Sequence, residues 1–255
     1  MKVVTWNVNS LNVRLPHLLQ LLEEESPDVV ALQETKTSDA TFPAAEIEAA
    51  GYRVIFSGQK SYNGVAILSR SAAADVVTDL PDFDDPQRRL LAATIDGVRV
   101  VNVYIPNGQA VGSEKYDYKF RWLKAFRTLI EAELQQHPPL IILGDFNIAP
   151  HDRDIHDPAR WQGKIMCSEP ERRWFAELLA LGLRDTVRTL YPEEGMFSWW
   201  DYRASAFRRN WGIRIDHLLA TPALTPVNAA VGKRFRALER PSDHAPVWVD
   251  FCAEK

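Results

Sequence analysis

The chain of 255 residues has only two cysteines and no apolar run that approaches the ~20 residues needed to span a bilayer. Two thiols, Cys167 and Cys252, exclude a disulfide framework and argue against a thiolate metal site. Met1-Lys2 leads directly into an apolar strand with no leader, so we expect a protein of the reducing cytoplasm with no membrane contact. No low-complexity linker divides the chain, which predicts one domain over residues 1–255.

The charge is unevenly distributed along the chain. Its net value is −4, which alone does not favour a nucleic-acid partner. Residues 201–240, however, hold eight basic and three acidic residues, which leaves −9 for the remainder. A basic face on an acidic protein can bind a polyanion, although an ordinary solvated surface would account equally well for the local excess.

Four apolar strands adjoin polar side chains of the kind that carry chemistry. Leu140-Ile141-Ile142-Leu143 runs into Gly144-Asp145-Phe146-Asn147, and Asp243-His244 stand just before Val247-Trp248-Val249. Two further runs, 3–6 and 29–32, lead to Asn7 and to Glu34. Open α/β folds build their sites at such strand ends. The combined set suits a hard divalent cation, a phosphate and an activated water.

The pattern of elements predicts many short strands and few helices. Strands are expected near 2–8, 28–33, 52–57, 64–70, 75–79, 90–96, 98–105 and 139–145, and again near 196–200, 213–220, 226–231 and 246–251. Helices are expected from after Pro16 to Glu25, over 43–50, over 116–136 and over 169–181. The Asp96-Gly97 hairpin and the short strands favour a four-layer α/β/β/α sandwich, with two mixed sheets packed face to face, helices outside and two similar halves. The alternation of helices and strands alone would also permit a doubly wound parallel sheet.

Glu34 is the first candidate metal ligand. A Glu after a strand is most often a solvated loop acid, but Asp145 at a similar strand end favours a ligand. Mg²⁺ takes few protein carboxylates together with substrate phosphate oxygens. Because no His-rich or Cys-rich cluster offers a zinc site, we expect Mg²⁺, with Mn²⁺ as a substitute.

Asp145 and Asn147 are two residues apart, so in an extended chain they share a face. The acid can activate a water while the amide binds a phosphate oxygen, although a structural Asp-x-Asn turn fits the same spacing. His244 has a second candidate partner in Arg214-Ile215-Asp216-His217, where either Asp216 or His217 faces the site. If Asp216 faces His244, it orients the imidazole and favours its protonated form.

Aromatic and basic residues interleave over 197–214, in Phe197-Ser198-Trp199-Trp200-Asp201-Tyr202-Arg203 and the segment that follows. Such runs more often form core than site. Yet no acid occurs between residues 203 and 214, and four arginines need partners. Stacking on bases and contacts with phosphates would explain both features. The arginines are Arg203, Arg208, Arg209 and Arg214.

The chain resembles the exonuclease III family of DNA-repair nucleases, in the endonuclease/exonuclease/phosphatase superfamily. The resemblance runs nearly end to end and is carried by eight motifs in order. They are Trp6-Asn7-Val8-Asn9, Leu32-Gln33-Glu34-Thr35-Lys36, Tyr62-Asn63-Gly64, Asn102-Val103-Tyr104-Ile105-Pro106-Asn107-Gly108, Gly144-Asp145-Phe146-Asn147, Trp199-Trp200-Asp201-Tyr202-Arg203, Arg214-Ile215-Asp216 and Ser242-Asp243-His244-Ala245-Pro246.

This resemblance implies a Mg²⁺-dependent DNA phosphodiesterase of base-excision repair, a monomer acting on duplexes with abasic sites, nicks or 3′ ends. It implies that Glu34 and Asn7 lie at the metal, with Asp145, Asn147 and Asp243 as further candidates. It also implies catalytic roles for Asp145, His244, Asp216, Tyr104, Asn147 and Asn7, and sugar contacts for Asn107 and Trp199.

Three departures from the family pattern matter: the first, at Asn9, argues against a second metal ion, and the other two bear on the substrate. Asn9 replaces an Asp of some relatives, no arginine follows Asn107-Gly108, and Met166-Cys167 replace smaller residues. A bulky side chain there obstructs a flipped sugar, so 3′-end cleavage is expected to be at least comparable to abasic cleavage. The alternatives are a phosphoesterase for a small or lipid substrate and a non-catalytic DNA-binding module; the basic aromatic segment argues against the first and the intact polar set against the second.

Overall fold

The strands form two six-stranded sheets in the computed structural model, which describes residues 1–193 and 195–253. The first sheet has the order β11-β12-β1-β2-β4-β3. The second has the order β5-β6-β7-β8-β10-β9. The first contains β1 (Lys2–Asn7), β2 (Val29–Gln33), β3 (Arg53–Ser57), β4 (Val65–Ser69), β11 (Leu224–Val231) and β12 (Val247–Ala253). The second contains β5 (Ala74–Val77), β6 (Leu90–Ile95), β7 (Val98–Tyr104), β8 (Leu140–Asp145), β9 (Arg184–Asp185) and β10 (Asp216–Ala220).

The two sheets repeat one pairing pattern, with a single parallel pair at the centre of each. That pair is β1 with β2 in the first sheet and β7 with β8 in the second, and the remaining pairs are antiparallel. A doubly wound parallel sheet is therefore excluded, and the predicted pair of mixed sheets is confirmed.

Helices cover the outer faces of both sheets. Helices α1 (Leu11–Glu25), α2 (Ala44–Ala49) and α7 (Lys233–Arg236) pack on the first sheet, and α3 (Glu114–Gln136) and α5 (Glu169–Leu179) on the second. Two short helices, α4 (Pro158–Trp161) and α6 (Thr186–Leu190), lie in connections. A third apolar cluster, with Val3, Ala31, Leu143 and Val249, fills the space between the sheets. These layers are the predicted sandwich.

One buried polar network crosses between the sheets. The Gln33 amide donates to Asn102 Oδ1 (2.8 Å) and Thr5 Oγ1 (3.0 Å), while the Asn102 amide donates to the carbonyls of Leu32 and Ala66 (both 2.9 Å). Because buried polar groups must find partners, this network fixes the register of one sheet against the other.

Several predicted elements differ in extent from those found. Residues 196–200 form no strand; only Trp199 pairs, in isolated bridges with Ile213 and His244. The strand expected from 213 begins at Asp216, and α1 begins at Leu11 with Pro16 inside it. The expected loop 147–167 contains α4. Among the described residues, no helix is both long and apolar enough to cross a membrane.

Candidate active site

The ends of β1, β2, β8 and β10 meet where the two sheets adjoin, and they bring the predicted polar residues together. Gly144, just before Asp145, has φ near +147°, and a Cβ there would lie 1.9 Å from the Val103 carbonyl oxygen. Only glycine permits this approach of β8 to β7. The backbone thereby carries Asp145 to the edge of the sheet.

Asn7 joins the two sheets at this edge. Its Nδ2 donates to Glu34 Oε1 (2.8 Å), from the first sheet, and to Asp145 Oδ2 (2.9 Å), from the second. Its Oδ1 accepts from the backbone N–H of Asn9 (3.0 Å). Ser242 Oγ donates to the Asn7 carbonyl (2.7 Å). One fully buried amide therefore holds both carboxylates in place.

Asp145, Asp216 and His244 form a buried cluster whose ligand atoms all lie within 4.8 Å of one another. Asp145 and Asp216 are direct partners in the antiparallel pair of β8 and β10, so their side chains share one face. His244 Nδ1 lies 2.8 Å from Asp216 Oδ2, and its Nε2 lies 3.7 Å from Asp145 Oδ2. Asp216 thus faces the imidazole, while His217 points into the core and bonds the Ile148 carbonyl (2.8 Å).

The cluster shifts the ionisation of its members. Burial raises the pKa of Asp145 to about 7, with the Asp216 and Glu34 carboxylates adding to the shift and His244 and Asn7 opposing it. Burial alone would lower the pKa of His244, but the neighbouring Asp216 and Asp145 carboxylates outweigh it and raise that pKa to about 10. The site therefore places a carboxyl with a raised pKa beside an imidazole that favours its protonated form, an arrangement suited to acid–base chemistry.

Glu34 and Tyr104 lie beside the cluster. Burial would raise the pKa of Glu34, but Lys36 and Asn7 together lower it; Lys36 Nζ lies 2.9 Å from Glu34 Oε2. Burial and the Glu34 carboxylate raise the pKa of Tyr104 well above its usual value. Tyr104 therefore keeps its proton and remains a hydrogen-bond donor.

Asn147 and Asn107 meet above a buried ion pair. Asn107 Nδ2 donates to Asn147 Oδ1 (2.9 Å), and the Asn147 N–H donates to Asp145 Oδ1 (2.9 Å), so the structural Asp-x-Asn turn is also present. Below them, Lys119 Nζ donates to the Asn147 carbonyl (2.9 Å), the Asn107 carbonyl (3.3 Å) and Glu171 Oε1 (2.5 Å). Lys119 and Glu171 are both fully buried, so this pair fixes the two loops.

Asp243 is not one of the three residues of the buried cluster. Its Oδ2 accepts from Trp199 Nε1 (2.9 Å), and its Oδ1 accepts from Asn9 Nδ2 (2.9 Å). Asn9 Oδ1 in turn accepts from Lys36 Nζ (2.6 Å). The side-chain amide of Asn9 therefore links Asp243 to Lys36, the ion-pair partner of Glu34.

The prediction that Arg214 binds DNA is wrong. Its side chain is 1% exposed, and its guanidinium bonds Asp154 Oδ1 (2.7 Å) and both oxygens of Asp185 (3.2 and 2.7 Å). Arg188 contacts the same Asp154 carboxylate. Buried arginine is stable only with such partners, so Arg214 belongs to the scaffold.

The three other predicted arginines are exposed. Arg203 is paired with Asp201 (2.7 Å), and Arg209 lies over the Trp211 ring at 4.5 Å. Arg208 is also exposed, and we find no hydrogen bond or ion pair for it within residues 1–193 and 195–253. These three remain available to a phosphate backbone.

The donor chemistry of the site fits a hard divalent cation. Its carboxylates offer oxygen atoms only, and Asp216 Oδ1 is buried with no hydrogen-bond partner among the described residues. Burial raises the pKa of Asp145, and the neighbouring Asp216 and Glu34 carboxylates add to the rise. A cation coordinated by oxygen relieves both conditions.

Three residues of the site escaped the sequence prediction: Lys36, Ser242 and Lys119. The first two stand inside motifs that carry the resemblance. Lys119 had a different signal, because it falls on the buried face of α3 at helical spacing from Tyr116 and Leu123. A lysine on such a face needs a buried acid.

Comparisons with known proteins identify the family. The Endonuclease/Exonuclease/phosphatase family model matches residues 4–244. Exodeoxyribonuclease III of Haemophilus influenzae is 37% identical over 98% of this chain and 100% of its own length. The structure is similar to a 3′ phosphatase from Neisseria bound to a product DNA hairpin (TM-score 0.98, 50% identity, 99% of both chains covered). It is also similar to an AP endonuclease from Archaeoglobus fulgidus (TM-score 0.95, 37% identity, 98% of this chain and 99% of that one covered).

The chain belongs to the exonuclease III family of DNA-repair nucleases. Its activity is accordingly hydrolysis of DNA phosphodiesters, and the family is metal-dependent. The four-layer fold and the acidic cluster are those expected of a member.

Asp145→Asn should abolish most cleavage while leaving DNA binding intact. The amide has the same shape but cannot take a proton from water, and removal of a general base costs roughly 10²–10⁴-fold in rate. Turnover on a labelled duplex and binding by fluorescence anisotropy measure the two effects. Asp117→Asn, on the exposed face of α3, is the matched control. Near-normal turnover of Asp145→Asn would contradict the assignment.

Arg214→Met should unfold at lower denaturant concentration than the wild type, because Asp185 loses its ion-pair partner and Asp154 is left with Arg188, and breaking a buried ion pair costs about 3–5 kcal/mol. Arg208→Met should leave stability unchanged and flatten the dependence of log binding on log salt by roughly one unit. Urea unfolding and salt titrations distinguish the two arginines. If the Arg214→Met protein were as stable as the wild type and its binding depended less steeply on salt, Arg214 would be a DNA contact after all.

Proposed function

We propose that the protein is a Mg²⁺-dependent nuclease of base-excision repair that processes 3′ ends of duplex DNA at least as well as it cleaves abasic sites. Its substrates are duplexes with 3′ ends, nicks or abasic sites, and it acts as a monomer. Two free cysteines, one of them the buried Cys167, suit a cytoplasmic location.

The observation that carries the preference for 3′ ends is the position of Met166. Its side chain is buried in an apolar cluster with Ile213 and Ile215, against which Trp199 packs. Met166 therefore belongs to the apolar cluster on which Trp199, the family's sugar contact, packs. An abasic sugar must be turned out of the helix into this region, at a cost of roughly a few kcal/mol. A fraying 3′ end needs less extrusion.

The backbone conformation of Met166 also supports a role for this residue in the choice of substrate. Its φ is +68°, in the left-handed region that favours glycine. Strained residues of this kind cluster at functional sites, because the fold retains them for a reason other than stability. The 50% identity to a Neisseria 3′ phosphatase, against 37% to an AP endonuclease, supports processing of 3′ ends.

The site residues account for hydrolysis at phosphorus. A water held by Asp145 gives its proton to that carboxylate as its oxygen attacks phosphorus. The bond from phosphorus to the 3′ oxygen breaks, and the 3′ oxygen leaves with the bonding pair and takes up a proton from solvent to become a hydroxyl. The charged imidazole of His244, oriented by Asp216, stabilises negative charge on the phosphoryl oxygens. Tyr104 and Asn147 donate hydrogen bonds to the same group.

Glu34 is the principal residue we assign to the metal, with Asn7 and Asp145 beside it. Asn147 and Asp243 are also predicted as ligands, but they are weaker candidates because their side-chain oxygens already accept hydrogen bonds. Asn147 accepts from Asn107, and Asp243 accepts from Asn9 and Trp199. When bound, Mg²⁺ (or Mn²⁺) would neutralise charge on the phosphate and the leaving oxygen.

Glu34→Gln should raise the Mg²⁺ concentration needed for half-maximal cleavage, because the cation loses a carboxylate oxygen. DNA affinity in chelator should change little. Metal titrations of cleavage and anisotropy measure the two, with Glu23→Gln on α1 as the control. An unchanged midpoint would make Glu34 an ordinary loop acid.

Met166→Gly should increase abasic cleavage relative to 3′-end cleavage. It removes the side chain that fills the apolar cluster under Trp199, and it relieves the strain of a positive φ at a residue with a Cβ. Met166→Ala separates the two causes, since it also shortens the side chain but keeps the backbone strain. Rates on one duplex sequence carrying an abasic site, a 3′ phosphate or a recessed normal end give the ratio. A wild type that cuts abasic sites far faster than 3′ ends, with no response to either change, would sink the proposal.

A further inference from the structure

A cavity of about 340 Å³ is lined in part by Trp199, whose indole N–H donates to Asp243. Its volume lies at the small end of the range for ligand pockets, which suits a single ring system rather than a duplex. We call it the tryptophan pocket. Its walls and rim include His156, Arg160, Trp161, Trp199, Arg203 and Trp211.

The aromatic walls are held in place by the fold. His156 and Trp211 stack with ring centroids 5.9 Å apart and planes 14° from parallel. The backbone N–H of His156 donates to the Gly212 carbonyl (3.0 Å), and its Nδ1 lies 3.2 Å from the same oxygen. Trp161 and Trp199 both pack on the cluster that contains Met166. The result is a preformed set of flat, half-buried rings.

The rim of the tryptophan pocket is basic. Arg160 and Arg203 are exposed, and the lining acid, Asp201, is already paired with Arg203. Arg209, just outside, lies over the Trp211 ring. Rings flanked by arginines are the usual means of binding an unpaired base together with its phosphates.

Trp199 connects this pocket to the reacting groups. Its indole N–H donates to Asp243, and its backbone pairs with both Ile213 and His244. A nucleotide whose sugar lay against Trp199 would have its phosphate towards His244 and its base towards the tryptophan pocket.

We propose that the tryptophan pocket binds the unpaired nucleobase of the 3′-terminal nucleotide that is being removed. This inference rests on the proposed function, since it assumes cleavage at 3′ ends. It assigns contacts with the base to His156 and Trp211, whereas Met166 and the catalytic cluster act at the sugar and the phosphate. The enzyme should therefore favour a mismatched or frayed end over a paired one.

The test uses recessed duplexes that end in 2-aminopurine, either paired with thymine or mismatched. In the Asp145→Asn background, in which we expect cleavage to be slow, stacking should quench the fluorescence of the mismatched base. Adding Trp211→Ala or His156→Ala should reduce this quenching and weaken binding of the mismatched end by roughly five- to a hundred-fold. The paired end should weaken less. Trp211→Phe, which keeps a ring, should restore most of both effects.

Cleavage rates of the otherwise wild-type variants complete the experiment. The rate at which a mismatched 3′ nucleotide is removed, divided by the rate for a paired one, should fall towards one in Trp211→Ala and His156→Ala. Arg53→Ala, an exposed arginine on β3, should keep the wild-type ratio. Two results in folded variants would overturn the pocket assignment. One is an equal loss of affinity for the mismatched and the paired end, and the other is no change in the fluorescence quenching and in the ratio of removal rates. A wild type that removes no 3′ nucleotide or phosphate would instead overturn the proposed function.

Discussion

The hydrogen bonds of Asn7 are the interaction on which the site depends. A carboxylate from each sheet, Glu34 and Asp145, accepts from the same amide nitrogen. Neither acid would be held if the sheets shifted, because the Asn7 side chain is short and fully buried. The Gln33–Asn102 network beneath it opposes such a shift. The position of the reacting groups is thus a property of how the sheets pack.

Burying several acids at one edge requires compensation, and the structure provides it locally. Lys36 lies against Glu34, and His244 stands between Asp216 and Asp145. The backbone is also strained here: Asn9, Glu34 and Asn147 all have positive φ. Concentrated charge and strained backbone in one place are the expected marks of a site selected for chemistry rather than stability.

The fold could be predicted well from sequence because its strands are short, apolar and separated by turn residues. The residues that the structure brings together could be proposed from sequence because each lies at or near the end of an apolar strand. Arg214 could not, since its partners Asp154 and Asp185 lie 60 and 29 residues away and local charge carries no information about them. Residues 196–200 read as a strand because aromatic residues favour strands, but the segment pairs only through Trp199. Lys119 is not apparent from the sequence, because the pattern of α3 marks its apolar face and not the two charged residues buried on it, Lys119 and Glu133.

The seam between the two sheets has a thermodynamic consequence. A ligand bound at Asn7, Glu34 and Asp145 contacts both halves of the molecule at once, whereas the unfolded chain offers no such site. Its binding energy is therefore coupled to folding, and occupancy adds RT ln(1 + [L]/Kd) to the free energy of unfolding. Resistance to heat becomes a reporter of occupancy. The concentration in the cell of any ligand that binds there would then act on the lifetime of the enzyme as well as on its rate.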